Sequence, residues 1–485
     1  MRRSGVASIN SGCGQARPCL PTKRYMKTRS QDKSWFNQAR YGMFIHWGPY
    51  AEIGRGEQVL FREHLDQRDY AKQACRWNPK KFDAVSLAIT AREAGMKYAV
   101  FTARHHDGYC LWNTALSDYG SVAQAPGRDF VREYVETFRA AGLRVGIYYS
   151  LADWRVPAYW LGAKKDPAGW KAFRDYVHGQ VAELLTNYGK IDVIWFDGVW
   201  PHKAKAWKSA ELIKTIRSLQ PGILINNRLD SDVEGGGVEQ AGVSKTLGDF
   251  GTPEHQIAAD KQRPWESCQV TSWRLWGYAK GEHYRSAEQL LDLLAHTASQ
   301  GGNLLLNVGL DGAGKVPPAV SRSLLRVGKW LQRNGDAIYG SEKGDVTEFT
   351  TYGYQTRRGK ALYLICRFWP YRNAVRLPGV ITSSCRAKLL GFTRTIRVNQ
   401  NASGIEIQGL PEKPPHDLFP VIQLDFPAGF SVAPWARERL WSGNPSRMTA
   451  WSRSRGTSVW ADGKERPKGK VPMRPKANRT SMPGP

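Results

Sequence analysis

Between residues 40 and 340, short β-rich runs alternate with amphipathic helical runs, and this alternation restricts the fold more than any other feature of the chain. The β-rich runs are YGMFIHWG (41–48), KYAVFTAR (97–104), LRVGIYYS (143–150), IDVIWFD (191–197), GILINNR (222–228) and GGNLLLNVG (301–309). Between them, 82–96, 129–143, 169–189, 206–220, 286–301 and 319–335 carry apolar residues at helical spacing. Strand, helix and strand repeated at this pitch specify a parallel sheet with right-handed crossovers. An open doubly wound sheet and a closed barrel both satisfy the pattern. No Gly-rich phosphate turn follows the first strand, and polar residues collect at the ends of many strands rather than at one switch point. The expected fold is therefore α/β, a TIM-like (β/α) barrel with a degenerate strand or two between 240 and 285. The run EGGGVEQAGVSKTLGDF (234–250) is too Gly-rich for a helix and reads as a long βα loop over the barrel mouth.

After about 345 the pattern changes to short alternating runs with turn residues between them: 361–368, 373–379, 387–393, 404–410 and 420–426. That reads as a small antiparallel β-sandwich. The expected organisation is a basic disordered segment over 1–33, a (β/α) barrel catalytic domain over 34–342, a β-sandwich over 343–430 and a basic Pro-rich disordered tail over 431–485. The net charge of +27 suggests nucleic acid at first sight. Its distribution argues otherwise. The first 34 residues carry eight basic side chains against one acidic, and 431–485 carry twelve against three, so most of the excess lies in the two ends. Basic tails of this kind are solvated, and no specific nucleic-acid partner is expected.

The seven cysteines, Cys13, Cys19, Cys75, Cys110, Cys268, Cys366 and Cys385, are odd in number and contain no CxxC pair. They specify neither a disulfide framework nor a zinc site, and free, mostly buried thiols are expected. The N-terminus begins basic but lacks a continuous apolar stretch, so no clear signal peptide is read. The compartment stays open between cytoplasm and, if the start codon is mis-assigned, periplasm or secretion. No run of about 18 apolar residues exists, so no membrane span is expected. The sequence allows homo-oligomers without specifying one.

Ionisable residues at the C-terminal ends of barrel strands are the first candidates for chemistry. Asp197 ends the apolar run DVIWF between Trp195 and Trp200; its other role would be to cap the next segment. His46 ends the first strand, and His105, His106 and Asp107 end the second. Neighbouring histidines on a strand point to opposite faces and rarely ligate one ion, so no metal is expected. Neutral imidazoles suit hydroxyl-rich ligands. Tyr148 and Tyr149 end the third strand, and Asn226, Asn227 and Arg228 the fifth; Arg228 could pair with Asp197 or Asp230, or donate to a ligand oxygen. Acid–base chemistry beside Asp197 needs a second carboxyl, and Asp249, Glu254 and Glu266 are available. Glu254 lies in a loop between Gly and Pro residues, whereas Glu266 follows Trp265 and reads as more embedded, which would raise its pKa toward that of a general acid. The residues alone do not separate the two.

Seven segments in order, WFNQARYGMFIHWG, TARHHDGYCLW, GIYYSLADW, VIWFDG, NNR, WESC…WGY and GGNLLLNVG, resemble glycoside hydrolase family 29, the α-L-fucosidases, over about 34 to 340 and more weakly over the β-sandwich. The resemblance implies a retaining double displacement on terminal α-L-fucosyl residues of glycans, with Asp197 as nucleophile and no cofactor. It implies Glu254 as acid/base, with Glu266 the alternative, the two catalytic carboxyls standing about 5–5.5 Å apart. It also implies a fucose pocket of His46, Glu57, His105, His106, Tyr148, Trp195 and Arg228. Trp195 and Trp276 are candidate apolar walls for the methyl group of fucose. Two departures stand out: Gln58 where the family often has Trp after the glutamate, and Arg104 where it has Lys before the histidine pair. The competing readings are a retaining hydrolase of a related sugar and a catalytically inactive carbohydrate-binding protein.

Overall fold

The computed structural model describes residues 33–230, 248–260, 262–344, 346, 351–370, 374–401, 403–437, 457–459 and 465–467. The expected N-terminal segment (Lys33 apart), most of the expected mouth loop 234–250 and most of the expected tail lie outside the described residues. Within the tail, Thr457–Val459 and Glu465–Pro467 pair antiparallel.

Seven parallel strands form one sheet: β1 (Tyr41–His46), β2 (Tyr98–Arg104), β3 (Arg144–Ser150), β4 (Val193–Asp197), β5 (Leu224–Ile225), β6 (Glu266–Val270) and β7 (Asn303–Gly309). Their order is β5-β4-β3-β2-β1-β7-β6, so the first and seventh strands of the barrel segment are neighbours. The remaining gap, between β5 and β6, is crossed by residues 250–254. Parallel bridges join Asn226 to Phe250, Gly251 to Trp265 and Glu254 to Cys268, carrying the pairing round to close the barrel. This is the degenerate strand expected between 240 and 285.

The strands form where β-branched and aromatic residues are dense, and nearly every strand residue is buried, as expected of strands covered on both faces. Helices follow at the expected places: Ala84–Glu93, Phe130–Ala140, Pro167–Thr186, Ser209–Leu219, Ala287–Ser299 and Pro318–Asn334. The Asp83, Asp129 and Asp166 side chains cap the first three, and Ser286 with Gln289 forms a capping box on the fifth. The fifth strand is shorter than the expected 222–228. Its last residues are diverted because the Asn226 side chain takes over the ladder: its Oδ1 accepts from Phe196 N at 2.8 Å and its Nδ2 donates to Phe196 O at 2.9 Å. The chain then turns into a single 3₁₀ turn, Asn227–Asp230.

Because strand side chains alternate, every second residue points into the barrel. Phe44, Tyr98, Val100, Tyr148, Val193, Trp195, Leu224, Phe250, Cys268 and Leu305 pack there as one cluster, while Met43, Ile45, Ala99, Phe101, Ile147, Ile194 and Phe196 face the helices. The inner layers interlock large residues with small ones. Gly42 on β1 is the space for the Tyr98 ring: a Cβ there would stand 2.4 Å from it.

Beyond the barrel, the strands Glu342–Lys343, Gly353–Arg358, Ala361–Cys366, Arg386–Leu389 and Val421–Asp425 form an antiparallel sheet. It shares a core with the three-stranded sheet of Ala374–Pro378, Arg397–Asn401 and Gly404–Gln408, through Leu362, Leu364, Val375, Leu377, Ile405 and Ile407. The sandwich leans on the helical side of the barrel: Trp330 Nε1 donates to Phe419 O at 2.7 Å, and Asp292 accepts from Tyr354 and Arg367. Cys110 and Cys366 are buried free thiols, Cys268 is buried, and Cys75 and Cys385 are partly exposed free thiols; Cys13 and Cys19 lie outside the described residues. Among the described residues no helix is long and apolar enough to cross a membrane.

Gly42→Ala tests the inner layers. The added methyl meets a ring whose hydroxyl is itself bonded, so the variant is expected to lose about 1–3 kcal/mol of stability in denaturant unfolding. An unchanged midpoint would mean that the ring has room to move.

Candidate active site

The same alternation that builds the barrel core sets its mouth. Two residues above Phe44 stands His46; two above Trp195 stands Asp197. The top inward layer is therefore polar while the layer beneath is aromatic.

Asp197 is held from three sides. Its Oδ2 accepts from Tyr148 Oη at 3.0 Å and lies 3.7 Å from His106 Nε2, and its Oδ1 accepts from Arg228 Nη1 at 3.2 Å. The chain must turn sharply after it. Gly198 has φ +70°, and a Cβ there would stand 2.9 Å from Ala152 and Ser150, so glycine is required on both conformation and space.

Arg228 reaches across to a second carboxyl. Its Nη2 donates to Glu254 Oε2 at 2.9 Å, while Nε and Nη2 are anchored on Thr252 at 3.1 and 3.2 Å. The guanidinium lies 4.7 Å over the Trp195 ring. Glu254 also accepts from Trp276 Nε1 at 3.1 Å. The 250–254 segment that closes the barrel thus delivers Glu254 to the mouth. The next residue, His255, is held at φ +54°, a left-handed conformation that a non-glycine residue adopts only at a cost. The Asp197 and Glu254 side chains keep 17% and 23% of their surface exposed, in contrast to the buried groups around them.

His46, His105 and His106 form one wall. His46 Nδ1 pairs with Asn307 Oδ1 at 2.7 Å, and Asn307 Nδ2 donates to Trp276 O at 2.7 Å, tying wall to rim. His106 Nδ1 pairs with Ser150 Oγ at 2.7 Å. His105 stacks on Tyr148 at 5.6 Å. Burial, reinforced by the neighbouring imidazoles, pulls His46 and His106 down to about 3 and His105 well below its ordinary value, so all three are neutral near pH 7. A neutral imidazole both donates and accepts, as hydroxyl recognition needs. Glu57 is buried and accepts from the backbone N–H groups of Trp276 and Gly277 at 3.0 and 2.8 Å; burial raises its pKa. The Trp276 ring stands 5.2 Å from His46 and 5.8 Å from Phe44.

Every residue expected in the pocket from the sequence therefore lies in this one cluster, directly or through one partner. Glu266 occupies a different level. It is fully buried beneath Trp195, with Oε1 accepting from Trp195 Nε1 at 2.9 Å and Oε2 from Tyr98 Oη at 2.6 Å. Burial pushes its carboxyl up to about 7. Asp249 lies outside the cluster, accepting from Ile225 N, Lys33 and Arg217. Asp107 is bound to Tyr70 Oη at 2.6 Å, and burial raises it to about 6. Tyr149 and Arg104 both bond to Gln180 of helix Pro167–Thr186 on the outer side of the barrel. Among the described residues, no group of three or more His, Cys, Asp or Glu side chains could hold a metal ion. Sequence reading missed Asn307, Ser150 and Thr252. Asn307, an amide inside a Leu-rich strand, carried a readable signal; Thr252 carried none.

Comparison with known proteins places this geometry in context. The sequence profile of the α-L-fucosidase family matches residues 14–336. The tissue α-L-fucosidase of Bos taurus is 30% identical over 442 residues, covering 84% of this chain and 91% of that protein. Among solved structures, α-L-fucosidase isoenzyme 1 from Paenibacillus thiaminolyticus is 36% identical with a TM-score of 0.72, covering 81% of this chain and 98% of that one. A family 29 α-L-fucosidase from Bacteroides thetaiotaomicron is 28% identical with a TM-score of 0.72 over 80% and 94% of the two chains; its structure is described as a trapped covalent intermediate in complex with 2-fluoro-fucosyl fluoride.

The state of Glu266 has a measurable consequence. A carboxyl raised from 4.5 to about 7 holds more protons folded than unfolded across that interval. Its contribution to stability is therefore full below pH 4.5 and is lost as pH rises through 7. Glu266→Gln removes this dependence. The melting temperature of the variant relative to wild type is expected to climb steadily between pH 4.5 and 7.5. A constant difference across that range would show that Glu266 is ionised throughout.

Proposed function

The chain belongs to the α-L-fucosidase family, glycoside hydrolase family 29, and from that premise we propose that it is a retaining exo-α-L-fucosidase acting on terminal fucosyl residues of oligosaccharides or glycoconjugates. The observation that carries the reading is one guanidinium shared by two partly exposed carboxylates, Asp197 and Glu254, beside a wall of neutral histidines. A retaining glycosidase needs two carboxyls facing each other across the scissile bond, and a hydroxyl-rich ring needs uncharged donors and acceptors around it.

In the proposed reaction a carboxylate oxygen of Asp197 attacks the anomeric carbon. The bond to the leaving oxygen breaks, and that oxygen takes a proton from Glu254. The product of this half-reaction is a glycosyl ester of Asp197. Water then gives a proton to Glu254 while its oxygen displaces Asp197, restoring the enzyme with the anomeric configuration retained. Tyr148 and His106 orient Asp197. Arg228 steadies both carboxyls and lies over the Trp195 ring. His46, Glu57, His105 and Trp276 complete the pocket, Trp195 and Trp276 supplying apolar surface for a methyl group in place of a hydroxymethyl.

Glu254 is the acid/base in this reading because it shares the solvent-open space with Asp197. Glu266, sealed below Trp195 with both oxygens engaged, is a positioning residue for the Trp195 ring.

Nitrophenol release from nitrophenyl α-L-fucoside tests the reading. Asp197→Ala is expected to lower kcat by on the order of 10⁴-fold without unfolding the protein. Azide is expected to restore turnover to Glu254→Ala and to leave Glu266→Ala unaffected. Rescue at Glu266→Ala instead would exchange the two roles. Fucose binding by calorimetry with no turnover in wild type would make the protein a lectin-like binder.

A further inference from the structure

A series of packed aromatic rings runs from the histidine wall of the catalytic pocket to solvent. The His106 ring, whose Nε2 is 3.7 Å from Asp197, packs on Trp154 at 5.1 Å between centroids. Trp154 packs on Phe61 at 5.2 Å, and Phe61 stacks on Trp160 at 5.9 Å with the rings only 12° from parallel. Along this series exposure rises abruptly. Trp154 is buried at 4%, whereas Phe61 and Trp160 are 47% and 48% exposed, beside Leu161 at 45%.

These residues come from two different loops. Phe61 lies in the short helix Val59–Arg62 that follows β1, and Trp154 and Trp160 lie in the segment that follows β3. Both loops leave the C-terminal ends of their strands, the end at which β4 presents Asp197. The Trp160 ring is anchored to its neighbour. Trp160 Nε1 donates to Trp154 O at 2.9 Å, and Gln67 Nε2 donates to the same carbonyl at 3.1 Å. With its polar edge engaged, Trp160 presents a flat apolar surface that is already ordered before anything binds.

We propose that Phe61 and Trp160 form a leaving-group subsite, which stacks the C–H face of the pyranose to which the terminal fucose is attached. This rests on the fucosidase reading above and extends it to the part of the substrate that departs. The pocket around Asp197 is lined by hydrogen-bonding groups suited to one ring, and the exposed pair Phe61 and Trp160 is joined to its His106 wall through the buried ring of Trp154. A hexose ring offers an apolar C–H face to such a surface while its hydroxyls stay in water. A small exposed aromatic patch bordering a polar pocket is the usual form of a ligand site, not of a core.

The test compares substrates that do and do not carry a leaving-group sugar. Wild type, Phe61→Ala, Trp160→Ala, the double variant and Trp160→Phe are assayed with α-L-fucosyl fluoride and with fucosyllactose. Fucosyl fluoride loads the fucose pocket alone, so kcat/KM for it is expected to stay within about twofold in every variant. For fucosyllactose the single alanine variants are expected to lose about tenfold, a difference of about 1.4 kcal/mol in transition-state binding. Trp160→Phe is expected to recover most of the loss. Equal losses on both substrates would mean that the rings merely support the catalytic pocket, and no loss on either would remove the subsite. Dissociation of a wild-type oligomer on Trp160→Ala would assign the patch to a subunit interface. Absence of fucosyl fluoride turnover in wild type would instead overturn the fucosidase reading itself.

Discussion

The guanidinium of Arg228 ties three separately delivered strands of the barrel into one site. It bonds to Asp197 at the end of β4, to Glu254 and Thr252 on the segment that closes the barrel, and it lies over the Trp195 ring from below the mouth. A cation placed this deep is costly unless its charge and its donors are all met. Here two carboxylates, a hydroxyl, a carbonyl and an aromatic face meet them. The arrangement works only if the 250–254 segment pairs in register, because Glu254 reaches the guanidinium from a strand that is otherwise barely formed. Barrel closure and active-site assembly are thus the same event.

The electrostatic character of the mouth follows from its depth. Three imidazoles are buried within a few ångströms of one another, so charging any of them would repel the others and forfeit hydration. They stay neutral, and the fixed positive charge facing them is the guanidinium of Arg228. Most of the net positive charge of the chain belongs to the two end segments of the sequence, outside residues 35–430.

Much of this was legible in the sequence because it rests on period-two strands and on helices with Asp caps. The strands ending in His46, Arg104, Ser150 and Asp197 were readable as dense aromatic and β-branched runs, and their terminal polar residues marked the mouth. Two elements were not. The fifth strand was overestimated because the side chain of Asn226, not its backbone, completes the ladder to Phe196, and no propensity encodes that substitution. The strand Glu266–Val270 was left unspecified within a broader window because its inward positions include Glu266, which breaks the apolar run expected of a buried strand. Reading Glu254 apart from Glu266 was likewise beyond composition. Both follow a proline by one or two positions, and only the register of the barrel decides which rises into the open mouth.

That register explains how one residue type serves three purposes within the same barrel. Glu57 is buried at the rim and caps the backbone N–H groups of Trp276 and Gly277, which fixes the indole that in turn bonds Glu254. Glu266 lies a layer below, where the complete loss of solvent raises its carboxyl to about 7 against the opposing pull of its two donors, Tyr98 and Trp195; there it anchors the Trp195 ring beneath the proposed nucleophile. Glu254 alone keeps access to water, the one condition that a group exchanging protons with a leaving oxygen and then with water must satisfy. The division of labour therefore follows from depth. A carboxyl one strand step lower, as in Glu266, cannot reach water, and Glu57 is buried with one of its oxygens already holding two backbone N–H groups.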